Sequence, residues 1–136
     1  MIAVDTSALM CIVLAEPDHP HYLTRLKAAR HVLISTVSVV ESRMVAYGRL
    51  GHRAVVLLDD LLRIPAFQIV SPTFQDMDAA WSAFIAYGKG TGHPAGLNFS
   101  DVFAYALAKT RNLPLLFKGN DFCHTDVELA LSQSGA

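Results

Sequence analysis

Short apolar runs alternate with helical stretches along this chain, and this alternation restricts its fold more than any other feature. The runs are residues 2–4, 31–35, 67–70 and 113–117. Helical patterns separate them, and no hairpin signal such as Asn-Gly joins two of them. The sequence therefore predicts a three-layer α/β fold, in which helices cover both faces of a central parallel sheet of four to five short strands. Since no repeat or linker is visible, residues 1–136 are predicted to form a single domain.

The composition favours a folded protein that is covered in part by a partner. Hydrophobic residues make up 52% of the chain and charged residues only 17%, with a mean hydropathy of +0.34. These values exclude a disordered chain and suggest that a partner covers some apolar surface. No apolar run reaches the roughly 18 residues of a membrane span, and no basic segment precedes the first run as in a signal peptide. We therefore expect a cytoplasmic protein.

The net charge of −1 excludes the generally basic surface of many nucleic-acid-binding proteins. A protein of this charge that handles nucleic acid must use a local basic patch, a metal ion or a basic partner. The densest basic cluster comprises Arg43, Arg49, His52 and Arg53. These arginines are candidates for contacts with a nucleic-acid backbone, although a solvated helix end explains them equally well.

Glu41 lies on the apolar side of a predicted helix that ends at Gly48. Val37, Val40 and Met44 share this face at helical spacing, and the face is expected to meet the core. An unpaired carboxylate in a core is costly, so Glu41 is expected to pair with a basic group or to bind a cation. A pocket that holds a metal ion would explain why Glu41 faces inward.

Three further acids are predicted to reach the same edge of the sheet as Glu41. Asp5 directly follows the first strand, Asp121 follows the last strand, and Asp101 opens the helix before the last strand. Ligands of open α/β sheets bind at the carboxyl ends of the strands. Each acid also has a structural explanation: Asp5 as a helix N-cap, Asp101 as a partner of a helix dipole, and Asp121 as a turn residue.

Taken together, the four carboxylates favour a metal site. At about 4 Å and an effective dielectric constant near 20, each close pair costs on the order of 4 kcal/mol. Mg²⁺, with Mn²⁺ as a substitute, is the cation that takes several carboxylates, waters and a substrate phosphate. None of the six histidines pairs with an acid at zinc-like spacing.

The remaining acids have simpler explanations. Asp126 fits a helix capping box in residues 125–128. Solvated helix faces account for a further set: Asp59, Asp60, Asp76 and Asp78.

The motifs that carry these acids, in this order and spacing, resemble the VapC toxins of bacterial toxin–antitoxin pairs, which are PIN-domain ribonucleases. The resemblance rests on MIAVDTSAL, the glutamate of SVVESRM, LNFSDVFAYALA, and LPLLFKGNDF followed by TDV, over about residues 2–128. It implies a PIN-like three-layer fold and a catalytic quartet of Asp5, Glu41, Asp101 and Asp121. Of these, Asp5, Asp101 and Asp121 would be the metal ligands.

The resemblance further implies that one or two Mg²⁺ ions assist the hydrolysis of RNA phosphodiester bonds, in a single-stranded loop of a structured RNA. Thr6 and Asn98 match polar positions near the metal site of the family, and Asp126 matches an acid of some members. These three residues are secondary site candidates. Ser100 stands where many relatives have Gly before the acid, and a serine is expected to fit there.

The predicted helix at residues 53–64 supports the expectation of a partner. Its apolar residues exceed the single stripe that one core face needs. The resemblance implies that a cognate antitoxin and a second copy of this chain, in a homodimer and a larger assembly, cover such surface. It also implies that the antitoxin presents a basic side chain to the acidic pocket. A fully central helix explains the same pattern.

Two other functions remain open from the sequence. The first is a phosphatase or phosphotransfer domain with Asp5 as nucleophile. The haloacid-dehalogenase type would need a second Asp where this chain has Ser7, and no interior strand ends in the Asp that a receiver domain would phosphorylate. The second is a non-catalytic module that only binds a partner.

Overall fold

Parallel strands form the central sheet in the computed structural model, which describes residues 1–132. The strands are β1 (Ile2–Val4), β2 (Val32–Ser35), β3 (Phe67–Val70) and β4 (Leu115–Leu116). Their order across the sheet is β3-β2-β1-β4, and Ala3 pairs with Leu33 on one side and with Leu115 on the other. The predicted parallel sheet is confirmed, with strands of two to four residues.

Helices cover both faces of this sheet, as predicted. They are α1 (Thr6–Val13), α2 (His19–Ala28), α3 (Thr36–Leu50), α4 (His52–Leu62), α5 (Phe74–Tyr87) and α6 (Phe99–Thr110). The first four pack on one face and the last two on the other. A short 3₁₀ helix, Asp121–His124, follows β4. Within the described residues, no helix is both long and apolar enough to cross a lipid bilayer.

Side chains of β1 alternate between the two hydrophobic cores, as the period of a strand requires. Ile2 and Val4 enter the core shared with α1 to α4, whereas Ala3 enters the core shared with α5 and α6. Helix α6 is buried over most of its circumference, and its small residues Ala104 and Ala108 are fully buried. Helix α6 is therefore central, so its first turn has a fixed position relative to the sheet.

The predicted buried face of α3 is wrong. Val40 and Met44 are 55% and 69% exposed, and the helix instead packs through small or compact residues: Ser38, Val39, Ser42 and Ala46. These small side chains allow α3 to approach α1 and α4 closely, and the Ser42 hydroxyl donates to the carbonyl of Ser38 at 2.7 Å. Shape, and not hydrophobicity, therefore decides which side of this helix meets the core.

Two predicted helix boundaries are also wrong. Helix α3 continues past Gly48 to Leu50, and it ends where Gly51 adopts a φ of +69°, which glycine accepts without a steric penalty. Residues 125–128 do not begin a helix. Instead the chain runs beside β4, where the Glu128 carbonyl accepts a hydrogen bond from the Leu115 N–H at 2.8 Å.

Asp76 is buried, not solvated as predicted. Only 3% of the residue is exposed. Its Oδ1 atom accepts hydrogen bonds from Thr110 Oγ1 at 2.6 Å and from Arg111 Nη1 at 3.0 Å. It also forms a capping box with Thr73 at the start of α5. Asp76 therefore ties the first turn of α5 to the last turn of α6.

Apolar side chains remain exposed on α4 and α5. Val56 and Leu57 are exposed on α4, which agrees with the wide apolar arc seen in its sequence. On α5, Phe74, Trp81 and Ile85 are exposed along one side of the helix. The sequence did not single out the α5 stripe, because its spacing also fits a helix that faces the core.

Candidate active site

Asp5 lies at the carboxyl end of β1 and caps the amino end of α1. Its Oδ2 atom accepts hydrogen bonds from the backbone N–H of Ser7 at 3.0 Å and from the Ser7 hydroxyl at 2.7 Å. Asp5 is 3% exposed, and its Oδ1 atom has no hydrogen-bond partner within the described part of the chain. The capping role predicted for Asp5 thus occupies one carboxylate oxygen and leaves the other for a ligand.

The environment of Asp5 disfavours a bare negative charge. Burial raises the pKa of its carboxyl group, the hydrogen bonds from Ser7 act in the opposite direction, and the nearby charge of Glu41 raises the pKa further. A buried carboxylate oxygen without a partner is rare in folded proteins, since its desolvation is uncompensated. A bound cation would compensate it.

Asp101 lies in the first turn of α6, where it forms a capping box with Asn98. The Asp101 N–H donates to Asn98 Oδ1, and the Asn98 N–H donates to Asp101 Oδ2, each at 2.9 Å. Burial raises the pKa of Asp101 to about 7, and the charges of Asp5, Glu41 and Asp121 contribute to this increase. Asp101 therefore lies at the electrostatic centre of the four acids.

Glu41 extends from α3 towards the first turn of α6. Its Oε1 atom accepts a hydrogen bond from the Ser100 hydroxyl at 2.6 Å, and Ser100 is only 5% exposed. This partner was missed by sequence reasoning, which expected a serine merely to fit. A weak signal existed: Ser100 precedes Asp101 in a helix start that Asn98 already caps.

Asp121 completes the quartet from the 3₁₀ helix after β4, where it is exposed. The four acids thus come from four segments that meet at the carboxyl edge of the sheet. They do not form a tight cluster of three or more: no three of their ligand atoms lie within 4.8 Å of one another. This spacing suits a cation that keeps several water ligands between itself and the protein.

A family model of the PIN domain matches residues 2–128. The chain belongs to the PIN-domain family. Ribonuclease VapC30 of Mycobacterium tuberculosis is 41% identical to it over 126 residues, which cover 93% of this chain and 95% of that protein. The prediction of a VapC-type PIN domain is confirmed.

Solved structures of PIN-domain toxins share the fold. The crystal structure of VapC20 of Mycobacterium tuberculosis, a sarcin–ricin loop cleaving toxin, superposes with a TM-score of 0.75 at 20% identity and covers 93% of this chain and 96% of its own. A toxin–antitoxin complex from Klebsiella pneumoniae gives a TM-score of 0.63 at 18% identity and covers 90% of each chain. Both support the three-layer architecture.

The secondary candidates have structural partners in this PIN domain. The Thr6 hydroxyl donates to the Ser38 carbonyl at 3.3 Å, between α1 and α3. Asn98 uses its side-chain oxygen to cap α6. Asp126 accepts hydrogen bonds from the Tyr105 hydroxyl and from Lys109 Nζ, the latter at 3.2 Å, and it is not among the acids that raise the pKa of Asp101. Within the described residues, Asn98 is the one of the three whose side chain is hydrogen-bonded to a quartet residue, while the backbone N–H of Thr6 acts on Asp5.

The candidate RNA-binding arginines lie on α3 and at the start of α4. Arg43 pairs with Asp59 on α4 at 3.1 Å. Arg49 is exposed near the end of α3, eight residues after Glu41 and thus about 12 Å further along the helix. Arg53 is exposed in the first turn of α4. Arg49 and Arg53 stay candidates for contacts with a distant part of a substrate.

A second group of acids in this PIN domain is already neutralised. Within residues 1–132, the ligand atoms of Cys11, Glu16 and Asp18 lie within 4.8 Å of one another. Lys118 Nζ donates to Glu16 Oε1 at 3.0 Å and to Asp18 Oδ1 at 2.8 Å. The ammonium group of Lys118 therefore occupies the position that a metal ion would take. Its ion pairs with Glu16 and Asp18 stabilise the loop after β4.

Proposed function

We propose that this PIN domain is the ribonuclease toxin of a toxin–antitoxin pair and hydrolyses RNA phosphodiester bonds with a divalent cation held by Asp5, Asp101 and Asp121. The family membership supports the reaction. The buried Oδ1 atom of Asp5, which has no partner, is the observation that supports the cation site most strongly. An exposed capping residue would need no such partner.

Mg²⁺, with Mn²⁺ as a substitute, fits the residues that meet at this edge. Every donor in the quartet is a carboxylate oxygen, and hard oxygen ligands suit these cations. Burial, with a further contribution from neighbouring negative charges, raises the pKa values of Asp5 and Asp101, and a divalent cation would offset both effects. No histidine or cysteine is required, which disfavours zinc.

Each acid of the quartet would have its own role in hydrolysis. A bound divalent cation would supply charge for the phosphate oxygens and a water of lowered pKa. Asp5 and Asp101 would orient the phosphate by fixing that cation, because their backbones are held by β1 and α6. Glu41 would accept a proton from the attacking water at Oε2, while Ser100 holds Oε1; the bond between phosphorus and the leaving 3′ oxygen breaks, and that oxygen takes a proton from solvent. Asp121, being exposed, would complete the site as substrate enters.

Purified protein incubated with labelled structured RNA tests this proposal. We expect cleavage with Mn²⁺ or Mg²⁺, loss of cleavage in excess chelator, and recovery when metal is restored. Asp5→Asn keeps the cap of α1 but removes the charge, so it should be folded and inactive. Cleavage that persists in chelator, or that survives in Asp5→Asn, contradicts the proposal. A phosphatase with Asp5 as nucleophile would instead release phosphate from small esters.

The cognate antitoxin would bind the apolar arc of α4 and place a basic side chain in the acidic centre. Bidentate pairing between a guanidinium and a carboxylate is the physical reason to expect arginine there. We propose that the enzyme acts in the cytoplasm, where its proposed RNA substrate and antitoxin would be available.

A second copy of this chain would cover the exposed stripe on α5. The stripe carries aromatic and aliphatic side chains, whose burial against a second copy across a two-fold axis would remove apolar surface from water, and the exposed Asp78 lies on the same side of α5. Trp81→Glu is therefore expected to convert a homodimer into a monomer, as measured by light scattering. Val56→Glu, on the α4 arc, is the matched control and should leave the dimer intact while it weakens antitoxin binding. A Trp81→Glu protein that stays dimeric rules out this surface.

A further inference from the structure

Ser100 makes a contact that its helix does not need. Serine in the first turn of a helix commonly caps a backbone N–H. In α6 the capping box already provides this: the Asn98 side chain accepts from the Asp101 N–H, and the Asp101 side chain accepts from the Asn98 N–H. The Ser100 hydroxyl instead donates to Glu41 Oε1 at 2.6 Å, across 59 positions of sequence.

The contact is partly buried and involves a charged acceptor. Ser100 is 5% exposed, and a buried hydroxyl without a partner would be destabilising. Hydrogen bonds to carboxylates are shorter and stronger than those between neutral groups, and this one is short. Glu41 is thus fixed by α6 and not only by its own helix.

Glu41 would otherwise tend to leave the acidic centre. Its side chain is long and half exposed, so it has many rotamers available in water. Its charge lies close enough to Asp5 and Asp101 to act on both, and the resulting repulsion favours rotamers that point away. A donor on the same helix turn as Asp101 opposes that motion.

We propose that Ser100 is a positioning residue, which holds the Glu41 carboxylate beside Asp5 and Asp101 before a cation binds. This inference rests on the proposed cation site. Ser100 touches neither the cation nor the substrate; it acts through Glu41. Its hydroxyl keeps Glu41 Oε2 available at the site, so that binding does not have to order a free side chain.

Mn²⁺ binding to the isolated protein tests the role of Ser100, with the signal of free Mn²⁺ measured by electron paramagnetic resonance. Residues that orient metal ligands typically contribute about 10–100-fold to metal affinity. Ser100→Ala is expected to raise the half-saturating Mn²⁺ concentration about tenfold, near the lower end of that range. Ser100→Thr keeps the hydroxyl and should restore binding. Ser38→Ala is the matched control, because it removes a buried hydroxyl of α3 that has no partner within the described residues.

A double-mutant cycle with Glu41→Ala separates positioning from general damage. If Ser100 acts through Glu41, Ser100→Ala has no further effect on Mn²⁺ binding in the Glu41→Ala background. The inference is overturned if Ser100→Ala lowers Mn²⁺ affinity equally in the wild-type and Glu41→Ala backgrounds. It is also overturned if Ser100→Ala binds Mn²⁺ as tightly as the wild type. Absence of Mn²⁺ binding by the wild type, or unchanged binding by Asp5→Asn, instead overturns the proposed cation site. Circular dichroism of each variant checks that it is folded.

Discussion

Asp101→Asn is expected to lower ribonuclease activity by about a hundredfold or more and, at the same time, to make the metal-free protein more stable. The loss of activity follows because even residues that only orient metal ligands contribute about 10–100-fold. The gain in stability follows because the asparagine removes one of four mutually repelling charges. The amide oxygen can still accept the hydrogen bond from the Asn98 N–H, so the capping box is kept. A gain of about 1 kcal/mol would raise the melting temperature by roughly 3–4 °C for a domain of this size.

The pH dependence of stability gives an independent check. The pKa of Asp101 is about 7 in the folded protein, against a usual value of 3.8. Between these values the folded state binds a proton that the unfolded state lacks, so the free energy of unfolding falls as the pH rises from about 4 to 7. The raised pKa of Asp5 acts in the same direction. The free energy of unfolding can be measured by urea unfolding in chelator at pH 5 and at pH 7.5. We expect it to change less between these two pH values for Asp101→Asn than for the wild type.

Asp101→Ala is the control for the cap. It removes the same charge as Asp101→Asn but also the acceptor for Asn98, and loss of a helix cap costs about 1 kcal/mol. We therefore expect the order of metal-free stability to be Asp101→Asn above Asp101→Ala. Mg²⁺ should raise the melting temperature of the wild type and of neither variant. If Asp101→Asn is less stable than the wild type in chelator, the four acids do not repel one another as described.

The position of the acidic centre could be predicted because strand order and loop length determine it. Asp5 must lie at the carboxyl end of β1, since it is the residue after Val4. Asp101 follows from the same logic, because it opens the helix that leads into β4. In a parallel sheet such positions converge, whatever the side chains around them. The fold class and the convergence of these acids therefore follow from local patterns, whereas their catalytic roles stay a prediction from the family resemblance.

The contacts around the acids could not be predicted in this way. The buried face of α3 depends on small residues that fit against α1 and α4, and an apolar pattern gives no information on fit. The hydrogen bond between Ser100 and Glu41 joins segments 59 positions apart. Asp76 looked like a surface residue because its partners, Thr110 and Arg111, are more than 30 positions away. Such long-range pairs become visible only in three dimensions.

Asp76→Ala is expected to be the most destabilising change outside the hydrophobic cores. Removing one partner of a buried ion pair costs about 3–5 kcal/mol, because the other charge is left without compensation. Here Arg111 and Thr110 both lose their acceptor, and the N–H of Thr73 loses its cap. A loss of about 3 kcal/mol corresponds to a decrease in melting temperature of roughly 10 °C. Asp78→Ala, two positions further on the exposed side of α5, should change stability by less than about 0.5 kcal/mol.

The pH dependence of this effect has the opposite sign to that at Asp101. Burial alone would raise the pKa of Asp76, but the hydrogen bonds from Arg111, Thr110 and Thr73 outweigh it and hold the pKa below 3.8. The stabilisation by Asp76 is therefore present above pH 3.8 and is lost as the pH falls through the lower pKa of the folded state. The difference in free energy of unfolding between the wild type and Asp76→Ala should therefore become smaller at acidic pH. Asp76→Asn keeps the cap but loses the charge, so near neutral pH its free energy of unfolding should lie between those of the wild type and Asp76→Ala.

Asp76 and the acidic centre lie at opposite ends of α6, so damage at one should not reach the other directly. Asp101 and Arg111 are ten positions apart, or about 15 Å along the helix. Below its melting temperature, Asp76→Ala should thus bind Mn²⁺ with the affinity of the wild type and cleave RNA at a similar rate. If Asp76→Ala proves as stable as Asp78→Ala, the contacts of Asp76 between α5 and α6 contribute little to the free energy of unfolding. A folded Asp76→Ala protein with weakened Mn²⁺ binding would show that α6 transmits strain from its last turn to its first.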